Sequence, residues 1–165
     1  MTRIRWKSPP AKVGAPEGSI HVWAADLDDL MVLSCVHESD LAPEELERAA
    51  RFRSEEDRTR FVVRRAVLRM ILARYLYKEP ASLRFRRGPH GKPALDTPDD
   101  GRTIRFNASA SDGLAVYAVT VEGEVGVDIE AIRLPQDWLE VTEDAFAASE
   151  ACTPTESPCT QPAGF

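Results

Sequence analysis

No stretch of this sequence stays apolar for the roughly 18 residues that a membrane-spanning helix needs, so no membrane partner is expected. Arg3, Arg5 and Lys7 near the N-terminus have no apolar core behind them, so a secretory signal is not expected. Cysteine is scarce. Cys35, Cys152 and Cys159 form neither a metal cage nor a disulfide framework, and a reduced, cytoplasmic setting is the simplest reading. No internal repeat is found. With 43% hydrophobic and 29% charged residues, the composition excludes collagen, coiled coil and wholesale disorder. The 165 residues suffice for one ordinary domain, or two small lobes at most.

The net charge of -6 is unevenly spread. Thirteen of the 21 basic residues, but only four of the 27 acidic ones, lie between Arg51 and Lys92. From Leu134 to Phe165 there are six acidic residues and no basic one. A basic segment inside an acidic protein points to a site for a small polyanion. An arginine-rich solvated helix face is the plainer account. Nucleic acid is not expected as a partner. Domains that bind it are usually basic overall, and the interleaved aromatics that stack bases are missing.

Residues 1–18, with Pro9, Pro10 and Pro16, read as a flexible arm. Ser19 to Ala24 alternates apolar and polar, as a half-buried strand does. Met31 to Val36 is an apolar run that fits strand or helix. Pro43-Glu44-Glu45 suits the first turn of a helix. Ser54-Glu55-Glu56-Asp57 resembles a capping box and opens a segment free of Gly and Pro up to Tyr77. Phe61, Leu68, Leu72 and Tyr75 recur there at helical spacing, so a long amphipathic helix is expected, ending before Pro80. Short strand-like pieces follow at Leu83–Phe85, Thr103–Phe106, Leu114–Val121 and Val125–Ile129, parted by turn residues. The fold class expected is α+β, a long helix packed on a small, mostly antiparallel sheet. After Val141 there is no Val, Ile, Leu or Met. Residues 134–165 therefore read as a disordered tail, too poor in apolar surface to offset its ordering entropy.

Three segments carry chemistry. In Val125-Gly126-Val127-Asp128-Ile129-Glu130 the two carboxylates lie two apart, so on an extended chain they leave on one side. Such a pair suits Mg²⁺, which takes one or two carboxylates and fills its shell with water and phosphate. It equally suits a wet acidic face. Asn107-Ala108-Ser109-Ala110-Ser111 reads either as an anion-binding turn after a strand or as an ordinary polar turn. Arg87-Gly88-Pro89-His90-Gly91-Lys92 reads as a loop that sets an ammonium against phosphate, or as a surface hairpin. His90 is a loop residue rather than a ligand, since no second His or Cys stands at ligand spacing.

Taken in order, the Phe52-Arg53-Ser54-Glu55-Glu56-Asp57 helix opening, Gly91-Lys92-Pro93, Phe106-Asn107-x-Ser109 and Gly126-Val127-Asp128-Ile129-Glu130 resemble the 4'-phosphopantetheinyl transferases of the two-lobed, surfactin-synthetase type. The similarity runs from about Ile20 to Arg133, so residues 19–133 are expected to form the first lobe. The resemblance implies transfer of the phosphopantetheine arm of coenzyme A to a serine of an acyl or peptidyl carrier protein, with Mg²⁺. It implies Asp128 and Glu130 as catalytic metal ligands. Arg53, Arg69, Arg87 and Lys92 are implied as contacts to coenzyme A, and Asn107 and Ser109 as contacts at its 3'-phosphate.

Two departures stand out. The histidine that follows the serine in the family is Ala110 here. The Trp-x-x-Lys-Glu-Ala motif of the second lobe has no counterpart, since Trp138 is followed by Leu-Glu-Val. The chain thus reads as a truncated enzyme, a first lobe joined to an unrelated end and inactive alone. The alternative is a non-catalytic half that binds coenzyme A weakly or pairs with a separately encoded second lobe.

Overall fold

The structure is a computed structural model that describes residues 10, 13–88, 91–96 and 104–132. The chain divides into a unit of Met1–Ala131 and a second of Ile132–Phe165; of the second, only Ile132 is described. The first unit runs β1 (His21–Asp26), α1 (Leu30–Ser34), α2 (Pro43–Ala49), α3 (Glu55–Leu76), β2 (Phe85–Arg87), β3 (Pro93–Leu95), β4 (Arg105–Ser111) and β5 (Leu114–Thr120). It is α+β, as the sequence predicts. No helix among the described residues is long and apolar enough to cross a membrane.

Helix α3 organises the unit, and its ends follow from local chemistry. Ser54 is extended, and its hydroxyl accepts from the Asp57 N–H at 3.3 Å. Glu55, Glu56 and Asp57 sit where the helix dipole is positive. Tyr77 closes the helix in the left-handed region, at φ 53°. The helix is buried on two sides. Val63, Ile71, Leu72 and Tyr75 join the core of the sheet, and Phe61, Val62 and Ala66 pack with Leu41 and Ala49.

The main sheet is antiparallel, in the order β1-β5-β4. One face carries Trp23, Ala25, Phe106, Ala115, Tyr117 and Val119 into the core with α3. The buried Tyr117 hydroxyl donates to the Arg64 carbonyl of α3 at 3.0 Å, and Trp23 Nε1 donates to the Tyr75 hydroxyl at 2.9 Å. On the other face Val22 and Leu114 remain about half exposed. β2 and β3 form a second, two-stranded antiparallel sheet, joined to the first by an edge-on Phe85–Phe106 contact.

The β4–β5 hairpin turns through Asp112-Gly113, both at positive φ (45° and 79°), as a two-residue type I′ turn requires. A Cβ on Gly113 would lie 2.5 Å from Asp28 Oδ2. That carboxylate cannot yield easily, because Arg60 grips it through Nε (2.9 Å) and a terminal nitrogen (2.6 Å). Gly113→Ala is therefore expected to lose roughly 1–3 kcal/mol. Urea unfolding checks this, and an unchanged midpoint would refute it.

Four readings change. Val125–Ile129 is extended but pairs with no strand, so it is not the strand expected; for Met31–Val36, open between strand and helix, the structure shows helix α1. Asn107–Ser111 lies within β4 rather than in a turn after a strand. Strand β3 was not expected from Pro93-Ala94-Leu95. Val13 is buried in the core and Pro16 is fully buried, so the end of the stretch read as an arm packs on the lobe. Residues 1–9 and the stretch 134–165, read as a tail, lie outside the described residues.

Candidate functional site

The segment after β5 carries the paired carboxylates. It is extended but shares no backbone ladder with the sheet. Side chains of β4 hold it instead. Asn107 Oδ1 accepts from the Val127 N–H at 2.9 Å, Ser109 Oγ from Ile129 at 3.4 Å and Ser111 Oγ from Ala131 at 3.2 Å. Asp128 and Glu130 are exposed, while Val127 and Ile129 are half-buried, which is the alternation expected of them. Ser109 Oγ donates to Asp128 Oδ1 at 2.6 Å. Two solvated carboxylates on one side of a fixed chain are a hard-oxygen donor set that fits Mg²⁺. Among the described residues, no group of three or more His, Cys, Asp or Glu could hold a metal.

Lys92 fastens the start of the same segment. Its ammonium donates to Glu124 Oε2 at 2.9 Å and to the Val125 carbonyl at 2.8 Å. Hydrogen bonding from Lys92, with its charge and that of Arg105, holds the Glu124 carboxyl below the ordinary glutamate range. Lys92, Arg86 and Arg105 line a cavity of about 310 Å³ beside the β2–β3 turn.

Arg86 and Pro93 also border an arginine-rich groove, which joins part of the basic segment read from the sequence to Arg48 of α2. Arg48, Arg64, Arg65, Arg86 and Arg87 line a cavity of about 500 Å³ with Phe61 and Phe85; Glu44 and Glu45 line it too, Glu45 being paired with Arg65, so the arginines outnumber the carboxylates five to two. Arg48 and Arg87 also line a cavity of about 610 Å³ with Arg51, Phe52, Glu44 and Glu47. The guanidinium of Arg64 has no carboxylate partner among the described residues and lies 6.0 Å from the Phe61 ring. Burial pulls its pKa down, though not enough to discharge an arginine. Ala110 borders a third cavity, about 290 Å³, with Arg60, Arg64 and Phe61. Clustered cations over aromatic faces suit a ligand that has both phosphates and a flat ring.

The residues predicted as ligand contacts separate. Arg87 is exposed on the basic groove. Arg53 is exposed, with no hydrogen bond or ion pair among the described residues. Arg69 does not belong with them. It is 1% exposed, and its donors go to Glu45 Oε2 (2.6 Å) and to the carbonyls of Pro80 (2.8 Å) and Leu83 (3.0 Å). No surface anion reaches it; it ties α3 to α2 and to the chain before β2. Glu45 also receives Arg65 Nε at 2.6 Å and the Ala42 N–H at 3.0 Å. Burial pushes the Glu45 carboxyl up, but that N–H and the two guanidinium groups outweigh it and hold the pKa below its ordinary value. Asn107 and Ser109 spend their oxygens on the 127–131 segment.

Comparison with known proteins identifies the family. The family described as "4'-phosphopantetheinyl transferase, N-terminal" matches residues 23–122. The chain is 31% identical over 150 residues to the 4'-phosphopantetheinyl transferase HetI of Nostoc sp., covering 91% of this chain and 63% of that protein. It is 34% identical over 119 residues to a phosphopantetheinyl transferase of Thraustochytrium sp., covering 72% of this chain and 41% of the relative. The AcpT transferase of Salmonella typhi is 35% identical over 82 residues, 50% of this chain and 40% of its own length. The chain belongs to the 4'-phosphopantetheinyl transferase family and carries its N-terminal domain. It spans about two fifths to under two thirds of the length of these relatives.

Proposed function

We propose that this chain provides the coenzyme A-binding lobe of an enzyme that transfers 4'-phosphopantetheine from coenzyme A to a serine of an acyl or peptidyl carrier protein. The order of its motifs favours the two-lobed, surfactin-synthetase type. The observation that carries the reading is the pinned segment presenting Asp128 and Glu130, with a basic groove in the same unit. In this reading Arg48, Arg51, Arg64 and Arg87 hold the phosphates, and Lys92 fixes the segment that bears the carboxylates. Asp128 and Glu130 are the Mg²⁺ ligands. The ion, when bound, neutralises charge on the pyrophosphate of the substrate. The carrier serine oxygen attacks the phosphorus that bears the pantetheine arm as the pyrophosphate P–O bond breaks; the serine proton passes to solvent, and 3',5'-ADP leaves with the electron pair of that bond. The chain's arginines contribute by positioning and charge neutralisation rather than covalent chemistry.

A second reading is a non-catalytic half that binds coenzyme A or pairs with a second lobe. It is favoured by the lack, among the described residues, of a third acidic or histidine partner for Asp128 and Glu130. Both readings share the groove, which is tested directly. Calorimetry should show coenzyme A binding that weakens as salt rises. Arg48→Ala and Arg87→Ala should each weaken it roughly tenfold, as loss of a charge-assisted hydrogen bond does. Binding indifferent to salt and to both substitutions would remove the groove from the site.

A further inference from the structure

We infer that Ser109, flanked by Asn107 and Ser111, is a positioning residue that replaces a backbone ladder and aims the Asp128–Glu130 pair. The three acceptors alternate along one face of β4, and the three amides they receive alternate along the segment. Each acceptor sits 20 residues before its amide: 107 with 127, 109 with 129, 111 with 131. Such constant spacing makes the segment run parallel to β4 in one register. The even-numbered side chains, Asp128 and Glu130, leave together on one side of the segment, and Asp128 reaches back to Ser109.

Ser109 is the hinge of this arrangement. A hydroxyl has one proton to give and two lone pairs. Its proton goes to Asp128 Oδ1 at 2.6 Å, so a lone pair is left for the Ile129 N–H at 3.4 Å. One side chain thus fixes both the backbone at 129 and the rotamer of the carboxylate beside it. The remaining Asp128 oxygen and both Glu130 oxygens make no hydrogen bond among the described residues and face solvent. A phosphate cannot take the Ser109 proton while Asp128 holds it. The structure therefore gives Ser109 work on the protein's own carboxylate, not on the 3'-phosphate that the family resemblance implies.

This inference rests on the proposed Mg²⁺ pair for its consequence, but not for its geometry, and the experiment separates the two. Amide exchange is read by NMR on the whole ¹⁵N-labelled chain, and Mn²⁺ affinity by paramagnetic broadening. In the unmodified chain the amides of 127, 129 and 131 should exchange about tenfold more slowly than those of 126, 128 and 130. Ser109→Ala should abolish the slow exchange at 129 and weaken Mn²⁺ binding about fivefold to tenfold. Ser109→Thr, which keeps the hydroxyl, should restore both. Uniform exchange along 126–131, or slow exchange at 129 that survives Ser109→Ala, overturns the inference whether or not metal binds. Weaker coenzyme A binding in Ser109→Ala with exchange unchanged would return Ser109 to the phosphate. Mn²⁺ affinity untouched by Asp128→Asn would instead overturn the metal pair, leaving exchange to decide the positioning role.

Discussion

Glu45→Ala is expected to destabilise the fold by about 3–5 kcal/mol, the usual loss when one member of a buried ion pair is removed. Glu45 is 7% exposed and Arg69 1%. Without the carboxylate, the Arg69 guanidinium stays buried with only the carbonyls of Pro80 and Leu83 to satisfy it. The first turn of α2 also loses the acceptor of the Ala42 N–H. Urea unfolding measures the loss, and a change below 1 kcal/mol would mean that water replaces the carboxylate there. The effect has a pH signature. Because the folded carboxyl is held below its ordinary value of 4.5, its contribution is complete above that pH and disappears as pH falls through the lower folded value. Glu45→Gln should flatten the stability profile in that acid window and leave its slope near neutrality unchanged.

A polypeptide of residues 1–165, incubated with coenzyme A, Mg²⁺ and an apo carrier protein, is expected to yield no detectable holo product. Two groups that the family resemblance implies are not in these 165 residues: the Lys-Glu pair of the second-lobe motif, and the phosphate-contacting histidine, whose place Ala110 takes. Loss of one preorganised charge contact commonly lowers the rate on the order of 10²–10³-fold, and several losses together remove nearly all activity even when they are not additive. Ala110→His combined with a second lobe from a relative should recover product. The cavity of about 290 Å³ beside Ala110 leaves room for the imidazole next to Arg60 and Arg64. Holo carrier protein formed at ordinary turnover by the unmodified 165 residues, detected by mass spectrometry, would sink this expectation.

What could be read in the sequence was local. Helix α3 is bounded by Ser54 and by the residues before Pro80, signals that act within a few residues. The i, i+2 spacing of Asp128 and Glu130 is likewise a property of any extended chain. Asn107, Ser109 and Ser111 misled because their residue types favour turns. Here their small polar side chains stay on one face of a strand and serve a neighbouring segment. β3 is three residues long and begins with proline, which strand patterns disfavour except at edges. Arg69 was misread because counting charge does not distinguish inside from outside. Ala66, Leu72 and Ala73, three and four residues away on the same helix face, were the available hint that this guanidinium lies on the buried side. The basic groove draws Arg48 from α2, Arg64 from α3 and Arg87 from β2, a convergence that no local pattern encodes.

The strand order has a consequence for synthesis. β4 and β5 meet across a two-residue turn and can pair as soon as both have emerged, whereas β1 pairs His21 with Val119 and Asp26 with Leu114. The strand made first is thus completed last, and its partner lies at the far end of a long loop whose closure is entropically costly. At about 5–20 residues per second, translation leaves β1 unpaired for roughly 5–20 seconds. During that time Val22 and Trp23 face the cell without the strand that will cover their backbone. The seam between β1 and β5 is where a newborn chain is most open to chaperones, to proteases and to the edge strands of other molecules.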